Sequence, residues 1–326
     1  MPATLTHAKF AVDVYNSLDK TYKTYKTIDN KDFLKYKMFA QSTDPLMFYN
    51  IESLHKGRNI RQLQFYFHTN KSQDFFIKLC QIIKDNKLYN DSSVISFLYG
   101  FICHYVLDSN IHPFVIYKTG LFDKKKKDTY KYNGCHAYME TYLDNIMLKN
   151  MNEDPYSFKI YNYSFDLDSF SDNLNMVISK SFKDVFSVNN MDNIYYKSLK
   201  QMRRFLKRYR YDKFGIKLFF YKMLDLFTSK RMFRFYTLSY HTSLENDDRY
   251  LNESRKNWYN PVDPSIKSNK SFYDLYNKSI TEACYIIKEV NRYFNSDVDL
   301  KKVFSNKSYL SGLSCDVPHD FKKFEF

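Results

Sequence analysis

The stretch CHYVLDSNIHPF, residues 103–114, carries three polar residues that could do metal chemistry, namely His104, Asp108 and His112. Each step of four residues along an α-helix turns the side chain by only about 40°, so all three project from one face. The flanking residues are strongly apolar, which predicts a buried helix whose polar groups need partners. Pro113 disfavours helical dihedrals at the residue before it, so His112 is expected to lie in the last turn of this helix.

A second segment, GCHAYMETYLD, places His136 and Glu140 four residues apart, the spacing at which two side chains of one helix can bind one metal ion. Asp144 continues the same face and is expected to orient a ligand. His68 in FYFHTN and Asp44 in STDPLMFY add an imidazole and a carboxylate. His7 lies near the start of the chain, and His55 in LHKG is typical of a loop.

These residues have two interpretations. A lone histidine is more often a core or surface residue than a ligand, and His241 and His319 have no partner pattern. The combination of HxxxDxxxH with HxxxE favours a metal site instead. Imidazoles together with carboxylates suit Zn²⁺ better than iron or manganese.

The helices that must position these residues follow from apolar periodicity in a chain with only six glycines and seven prolines. The sequence predicts an all-α protein, with residues 1–150 as a metal-binding helical core and residues 151–326 as a helical extension of the same domain. An irregular stretch is expected at 241–267. The predicted helices lie near 6–17, 31–41, 58–68, 72–86, 91–112, 134–150, 167–184, 190–208, 213–228 and 268–293.

The net charge of +14 would attract polyanions, whether nucleic acid, an anionic membrane surface or phosphorylated small molecules. The densest basic stretch, Arg203 to Arg210, interleaves aromatic and cationic residues as a nucleic-acid or membrane-binding helix does. The alternative is a solvated helix face with long aliphatic stems. The run Lys124 to Lys127 is expected to be an exposed loop.

The five cysteines are odd in number and show no C-x-x-C spacing, which argues against a disulfide framework or a cysteine zinc site. The N-terminal segment lacks the pattern of a secretory signal. The most apolar run, Val94 to Leu107, is too short to span a bilayer and contains Ser96 and His104. The expectation is a cytoplasmic protein with reduced thiols and no transmembrane segment.

The ordered motifs THAKF, TDPLMFY, FHT, GFICHYVLDSNIHP and GCHAYMETYLD resemble the zinc-dependent phospholipase C family, whose fold is shared with the single-strand-specific zinc nucleases. The resemblance covers about the first 145 residues and extends more loosely to RYLNESRKNWYNP and SFYDLYNKS. It implies an all-α fold with a trinuclear zinc cleft.

The resemblance also implies a role for each matching residue. Asp44, His68, His104 and Asp108 would bind one zinc ion, with Asp108 bridging to another. His112, His136 and Glu140 would bind a second ion. The third would be held by the N-terminal residue, by His7 and by the bridging Asp108. Removal of Met1 would make Pro2 that terminus, five residues before His7.

The sequence departs from the family in two places, of which the first bears on the position of the second ion and the second on the occupancy of the third site. The bridging aspartate and the next histidine are six residues apart in the secreted enzymes, whereas Asp108 and His112 are four apart. Pro2 is a secondary amine where those enzymes use tryptophan. A dinuclear centre is therefore the alternative to a trinuclear one.

Three functions are compatible with such a centre. The first is a phospholipase C acting on a headgroup phosphodiester, with Asp44 orienting or deprotonating the attacking water. Tyr105, Tyr138, Tyr142 and Trp258 would then pack acyl chains or a quaternary ammonium, unless they are core residues. The second is a nuclease or soluble phosphodiesterase, which the positive charge suits, and the third is a non-catalytic zinc-binding protein.

Overall fold

The computed structural model describes residues 3–21, 28–53, 55–209, 211–230, 234–240 and 245–325. Helices dominate these residues, and the only regular strands among them form a short antiparallel pair, β1 (Trp258–Tyr259) and β2 (Lys267–Ser268). The all-α prediction is confirmed. In chain order the helices are α1 (Thr4–Thr21), α2 (Phe33–Phe39), α3 (Arg58–Thr69), α4 (Ser72–Asp85), α5 (Ser92–Thr119), α6 (Cys135–Asn150), α7 (Ile160–Tyr163), α8 (Asp172–Phe186), α9 (Met191–Arg208), α10 (Ile216–Phe227), α11 (Asp248–Leu251), α12 (Phe272–Asn295) and α13 (Leu300–Val303).

Helix α5 forms the axis of the core. It begins where the Asp91 side chain accepts hydrogen bonds from Ser93 N and Val94 N, a standard N-cap arrangement. Almost every one of its residues is buried, which its continuous apolar sequence requires. Helices α1, α2, α6 and α12 pack against it, so helices from both halves of the chain share one core.

Pro113 does not end α5, and the prediction that the chain leaves the helix at His112 is wrong. The helix continues through Pro113 to Thr119 and ends at Gly120. Proline deprives the carbonyl of the residue four positions earlier, Ser109, of its helical hydrogen bond. Gly312 packs against that carbonyl so closely that a Cβ there would lie 2.4 Å from Ser109 O. The segment around Gly312 thus packs against α5 at the turn where proline removes a hydrogen bond.

Because α5 continues to Thr119, it is longer than the apolar run Val94 to Leu107, which alone is too short to span a bilayer. At 28 residues it is long and apolar enough to cross a membrane by length and composition, but 94% of the relevant window is buried within the protein. The core helix of a globular domain passes the same test, so the helix is weak evidence for membrane insertion.

Most other predicted helices are present, with ends that shift by a few residues. The sequence-based reading missed the short helices α7, α11 and α13 as well as the two-stranded pair. Two of these, α11 and the strand pair, fall inside the stretch expected to be irregular. Elements of two to four residues lack a detectable period, which is why tertiary contacts decide them.

Candidate metal centre

The Asp108 carboxylate lies at the centre of a buried cluster of imidazoles. Its Oδ1 is 3.3 Å from His7 Nε2, and its Oδ2 is 3.0 Å from His104 Nε2, 3.6 Å from His68 Nε2 and 3.4 Å from His112 Nδ1. Helices α1, α3 and α5 supply these five residues. The i, i+4 spacing on α5 places Asp108 between His104 and His112, as the sequence predicts.

Backbone carbonyls fix the orientation of the two innermost imidazoles. His104 Nδ1 is 2.9 Å from Ala40 O, and His68 Nδ1 is 2.8 Å from Gln64 O. A carbonyl oxygen can only accept, so each Nδ1 carries a proton and each Nε2 faces the cleft. Metal-binding histidines in proteins are oriented in this way.

A second group lies beside the first and nearer the surface. His136 Nε2 is 3.1 Å from Glu140 Oε1, and His112 Nε2 is 3.5 Å from the same oxygen. His112 thus contacts Asp108 through one ring nitrogen and Glu140 through the other. The His136 side chain is 30% exposed, against 8% for Glu140, so this end of the cleft opens to solvent.

Asp44 lies at the rim of the first group. Its Oδ1 is 3.3 Å from His68 Nε2 and accepts a hydrogen bond from Gln64 Nε2 at 2.9 Å. The side chain is 17% exposed, whereas that of His68 is 2% exposed. Asp44 is therefore the carboxylate of the first group that solvent reaches most easily.

His7 enters the cluster because α6 holds the start of α1. Asp144 accepts hydrogen bonds from Thr6 N at 2.8 Å, Thr6 Oγ1 at 2.7 Å and Leu5 N at 3.3 Å. These are donors that the first turn of a helix leaves unsatisfied. His7 then stacks on His104 with ring centroids 4.2 Å apart. Asp144, which the sequence suggested as an orienting residue, thus acts on the helix that carries His7.

The contacts between imidazoles and carboxylates lower the pKa values of the carboxylates by more than burial raises them. Burial alone would raise the pKa of Asp108, but His104, His112 and His7 hold it well below its usual value. Burial likewise opposes the ionisation of Glu140, and His136 and His112 keep its pKa well below the usual range. The pKa of Asp44 falls to about 2 because His104 and His68 overcome its burial. All three carboxylates are ionised at neutral pH.

The imidazoles respond in opposite directions. Burial lowers the pKa of His68, yet the nearby carboxylates of Asp108 and Asp44 raise it to about 10. The pKa of His7 falls to about 4 through burial and the neighbouring His104. At neutral pH His7 is therefore a neutral ligand donor, whereas His68 must give up a proton to bind a metal ion.

The donor set fits zinc. Ligand atoms lie within 4.8 Å of one another in each of three groups, and His104 belongs to two of them. Asp108 Oδ2 and His7 Nδ1 are buried and have no hydrogen-bond partner among the described residues. The Nε2 atoms of His68 and His104 face each other at 3.3 Å, a distance unsuited to two N–H groups. Cations held among these atoms would satisfy the unpartnered atoms of Asp108 and His7, and would lie against the facing nitrogens once His68 has lost its Nε2 proton. The groups are His7, Asp44 and His104; His68, His104 and Asp108; and His112, His136 and Glu140.

The ligands predicted from sequence lie together in the cleft, except for Pro2, whose position is not described. Asp44, His68, His104 and Asp108 adjoin one another, as do His112, His136 and Glu140, and His7 lies against Asp108. Pro2 lies outside the described residues, as does His241.

Sequence reasoning missed residues that support the cluster from the far end of the chain. Tyr309 O lies 3.0 Å from His112 Nδ1, and Tyr309 N donates to His68 O at 2.8 Å. The Tyr309 ring also lies 4.8 Å from that of His68. The segment around Tyr309 has no helical period and no titratable ligand, so only its position in the fold reveals its role.

The structure also tests the predictions about the aromatic residues and about the basic stretch. Tyr105, Tyr142 and Trp258 are between 1% and 6% exposed, so they are core residues and cannot pack acyl chains in the cleft. Tyr138, two residues after His136 in the chain, is half-buried and remains accessible. The basic stretch that begins at Arg203 closes α9, whose opposite face is buried, which agrees with a solvated helix face.

The comparisons with known proteins assign a family. The profile described as zinc dependent phospholipase C matches residues 6–188, more than half of the chain, and this range contains every predicted ligand except Pro2. No curated protein matches the sequence, and no solved structure matches the fold. On the strength of the profile match, the chain belongs to the zinc-dependent phospholipase C family.

Proposed function

We propose that this protein is a zinc-dependent phosphoric ester hydrolase that cleaves the headgroup phosphodiester of a phospholipid. The observation that carries the proposal is the position of Asp108, whose two oxygens contact imidazoles from α1, α3 and α5. Membership of the zinc-dependent phospholipase C family supports phosphoesterase chemistry at this centre. Phospholipid as the substrate is the part that experiment must decide.

The proposed ligands are the residues that converge in the cleft together with Pro2, which lies outside the described residues, and Asp108 would be shared between ions. Zinc bound there would acidify a water molecule and neutralise charge on phosphoryl oxygens. A multinuclear site would hold two or three such ions. The proposed ligands are Pro2, His7, Asp44, His68, His104, Asp108, His112, His136 and Glu140.

Asp44 is the proposed catalytic residue of the chain itself. Its pKa of about 2 keeps it ionised, so it accepts a hydrogen bond from water well but stores a proton poorly. Gln64 Nε2 donates to Oδ1 of Asp44 at 2.9 Å and so restrains the orientation of the carboxylate at the rim of the cleft. Asp44 would therefore orient the attacking water, aligning its lone pair with phosphorus.

The experiment compares the wild type with Asp44→Asn on dispersed short-chain phosphatidylcholine, with release of phosphocholine as the readout. Wild type should turn over, and Asp44→Asn should lose at least about 100-fold of that rate while its circular dichroism is unchanged. Asp297→Asn, the same change at an exposed position, is the matched control and should be silent. Cleavage of single-stranded oligonucleotides with lipid untouched would instead identify a nuclease. Bound zinc without turnover of either substrate would identify a non-catalytic protein.

A further inference from the structure

Helix α10 exposes its apolar side chains and buries a charged one, the opposite of what is expected for a helix in a globular domain. Asp225 is its single buried residue, whereas Phe227 is 84% exposed, Leu226 74% and Phe219 62%. Isolated apolar side chains on a surface are ordinary, but a contiguous apolar patch of this kind marks an interaction site.

The exposed apolar residues form one stripe that points away from the protein. At about 100° per residue, six apolar positions fall within an arc of about 120°, and Asp225 lies on the opposite side. Lys217 and Lys222 border the stripe on its two sides, and both are exposed. The stripe consists of Ile216, Phe219, Phe220, Met223, Leu226 and Phe227.

The acidic residues of this region point inward. Asp225 accepts hydrogen bonds from Phe235 N at 2.8 Å and Tyr236 N at 3.0 Å. Asp212 accepts from Leu218 N at 2.8 Å and Ser239 Oγ at 2.9 Å. These contacts fix the rotation of α10 so that its apolar stripe must face outward. The exposed surface of residues 213–230 consequently carries lysines and apolar groups and no exposed carboxylate.

The turn that holds α10 also contacts the helix that carries part of the metal centre. Tyr236 packs on Gly134 so closely that a Cβ there would lie 2.5 Å from Tyr236 Oη. Gly134 immediately precedes α6, two residues before His136. Leu218 and Lys222 of α10 line a cleft of about 350 Å³ together with Cys135 and Tyr138. Helix α10 therefore lies beside the first turn of α6, the helix that carries His136 and Glu140.

We propose that the α10 stripe is a membrane-docking surface, which inserts into the headgroup region of a phospholipid bilayer and holds the metal cleft against it. An apolar face bordered by lysines is the composition of helices that lie in the membrane interface, where lysine stems extend their charges to lipid phosphates. The positive border favours an anionic lipid surface over an acidic groove on a protein, because the apolar stripe needs an apolar environment as well as negative charge. The role of docking in catalysis rests on the proposed function, but docking itself does not.

A tryptophan probe reports insertion directly. The single native tryptophan, Trp258, is 6% exposed, so a new tryptophan on α10 would dominate any change in emission. Phe227→Trp should shift to the blue on addition of vesicles of phosphatidylcholine and phosphatidylglycerol, and brominated lipid should quench it. Tyr285→Trp is the matched control, since Tyr285 is 54% exposed on α12, and it should show neither effect. Equal responses at the two positions would overturn the proposal.

A pair of polar variants separates docking from catalysis. Leu226→Ser with Phe227→Ser should lower vesicle binding in sedimentation by at least about tenfold, whereas Ile266→Ser with Tyr285→Ser, at exposed positions elsewhere, should not. Hydrolysis of vesicle lipid should fall with binding, and hydrolysis of dispersed short-chain lipid should be unchanged. If no lipid is hydrolysed but binding still depends on α10, the docking surface stands and the proposed function fails. The docking surface would be overturned if the Leu226→Ser, Phe227→Ser variant still bound vesicles as the wild type does. It would also be overturned if that variant lost only self-association or oligonucleotide binding.

Discussion

The Asp144 carboxylate holds the Thr6 backbone N–H at 2.8 Å and the Thr6 hydroxyl at 2.7 Å, so α6 fixes the first turn of α1. His7 is the next residue, and its imidazole stacks on His104 inside the cleft. The hydrogen bonds that Asp144 accepts from the described residues come from Leu5 and Thr6, and neither of these is a proposed metal ligand. Its role is positional, because it sets where an entire helix enters the site.

Replacement of Asp144 tests this role. Asp144→Ala should lower the free energy of unfolding by about 1–3 kcal/mol because it leaves the Thr6 and Leu5 N–H groups buried without partners. Asp144→Asn retains an acceptor and should cost less. Denaturant titration measures the loss, and zinc content measured alongside it should fall in proportion to the disorder of α1. A full complement of zinc in a destabilised Asp144→Ala protein would separate α1 from the metal centre.

Asp108 is the carboxylate proposed to be shared between ions, since it contacts His68 and His104 through one oxygen and His7 through the other. Asp108→Asn keeps the size of the side chain but removes the charge shared among His7, His68, His104 and His112. The variant should bind at least one zinc ion fewer per chain and lose at least about 100-fold in activity. Asp32→Asn is the matched control, since Asp32 is buried at 3% exposure outside the cleft. Undiminished zinc in Asp108→Asn would contradict a bridging role.

Gln64 should tune the centre without binding the metal. Its Nε2 donates to Asp44 Oδ1, so Gln64→Leu removes the group that orients the proposed catalytic carboxylate. Activity should fall by about 10–100-fold, with the number of zinc ions unchanged. Gln64→Asn shortens the side chain and should fall between the two proteins. The claim fails if Gln64→Leu matches the wild type in turnover.

Zinc affinity should rise with pH. The pKa of His68 is about 10, so at neutral pH this imidazole must lose a proton to bind zinc, whereas His7, with a pKa of about 4, is already neutral. The apparent association constant should therefore increase by about tenfold per pH unit between about pH 6.5 and pH 8. Calorimetry in buffers of different ionisation enthalpy should detect the release of about one proton or more per chain on zinc binding. Binding that releases no proton would contradict the proposed role of His68.

The same pKa determines how the zinc-depleted protein responds to pH. Because the folded-state pKa of His68 lies above its ordinary value of 6.5, its contribution to stability is complete below about pH 6.5 and is lost as pH rises toward 10. Protein treated with a chelator should therefore unfold at lower denaturant concentrations as the pH rises through this range. The mutant His68→Gln should show a flatter dependence.

Gly312 should be required for the continuation of α5. Its φ of +67° and its approach to Ser109 O both disfavour a side chain. Gly312→Ala should destabilise the protein by about 1–3 kcal/mol and weaken zinc binding, since Tyr309 and His112 meet a few residues away. Gly215→Ala, at a glycine with similar φ but open space around it, isolates the contribution of backbone strain.

The metal-ligand candidates could be predicted from sequence because their spacing encodes their placement. Residues 104, 108 and 112 share a helix face, as do 136 and 140, and a buried carboxylate among imidazoles has few other uses. The course of the chain at Pro113 could not be predicted, because the local preference for ending the helix there is overridden, and the segment that packs against this turn, around Gly312, lies about two hundred residues further along. The role of Tyr309 could not be predicted either, because it contacts His112 through its backbone carbonyl, and that contact does not depend on the type of side chain.

Helix α10 shows a different limit of sequence analysis. Its amphipathic pattern predicts a helix, and the structure confirms one close to the expected bounds. Periodicity alone would bury the apolar face, because that is what such a pattern does in most globular domains. The hydrogen bonds of Asp225 to the backbone at 235 and 236 reverse the orientation. No local pattern distinguishes an aspartate that anchors a helix from one that is solvated.

Elemental mass spectrometry of protein produced with an untagged native N-terminus tests the central claim most directly. Two or three zinc ions per chain are expected, with three requiring the terminal residue next to His7 and two indicating a dinuclear centre. An N-terminal tag should then remove one ion from a trinuclear protein. Less than one metal ion per chain after reconstitution with zinc would show that the buried imidazoles and carboxylates are structural, and would contradict the multinuclear hydrolase.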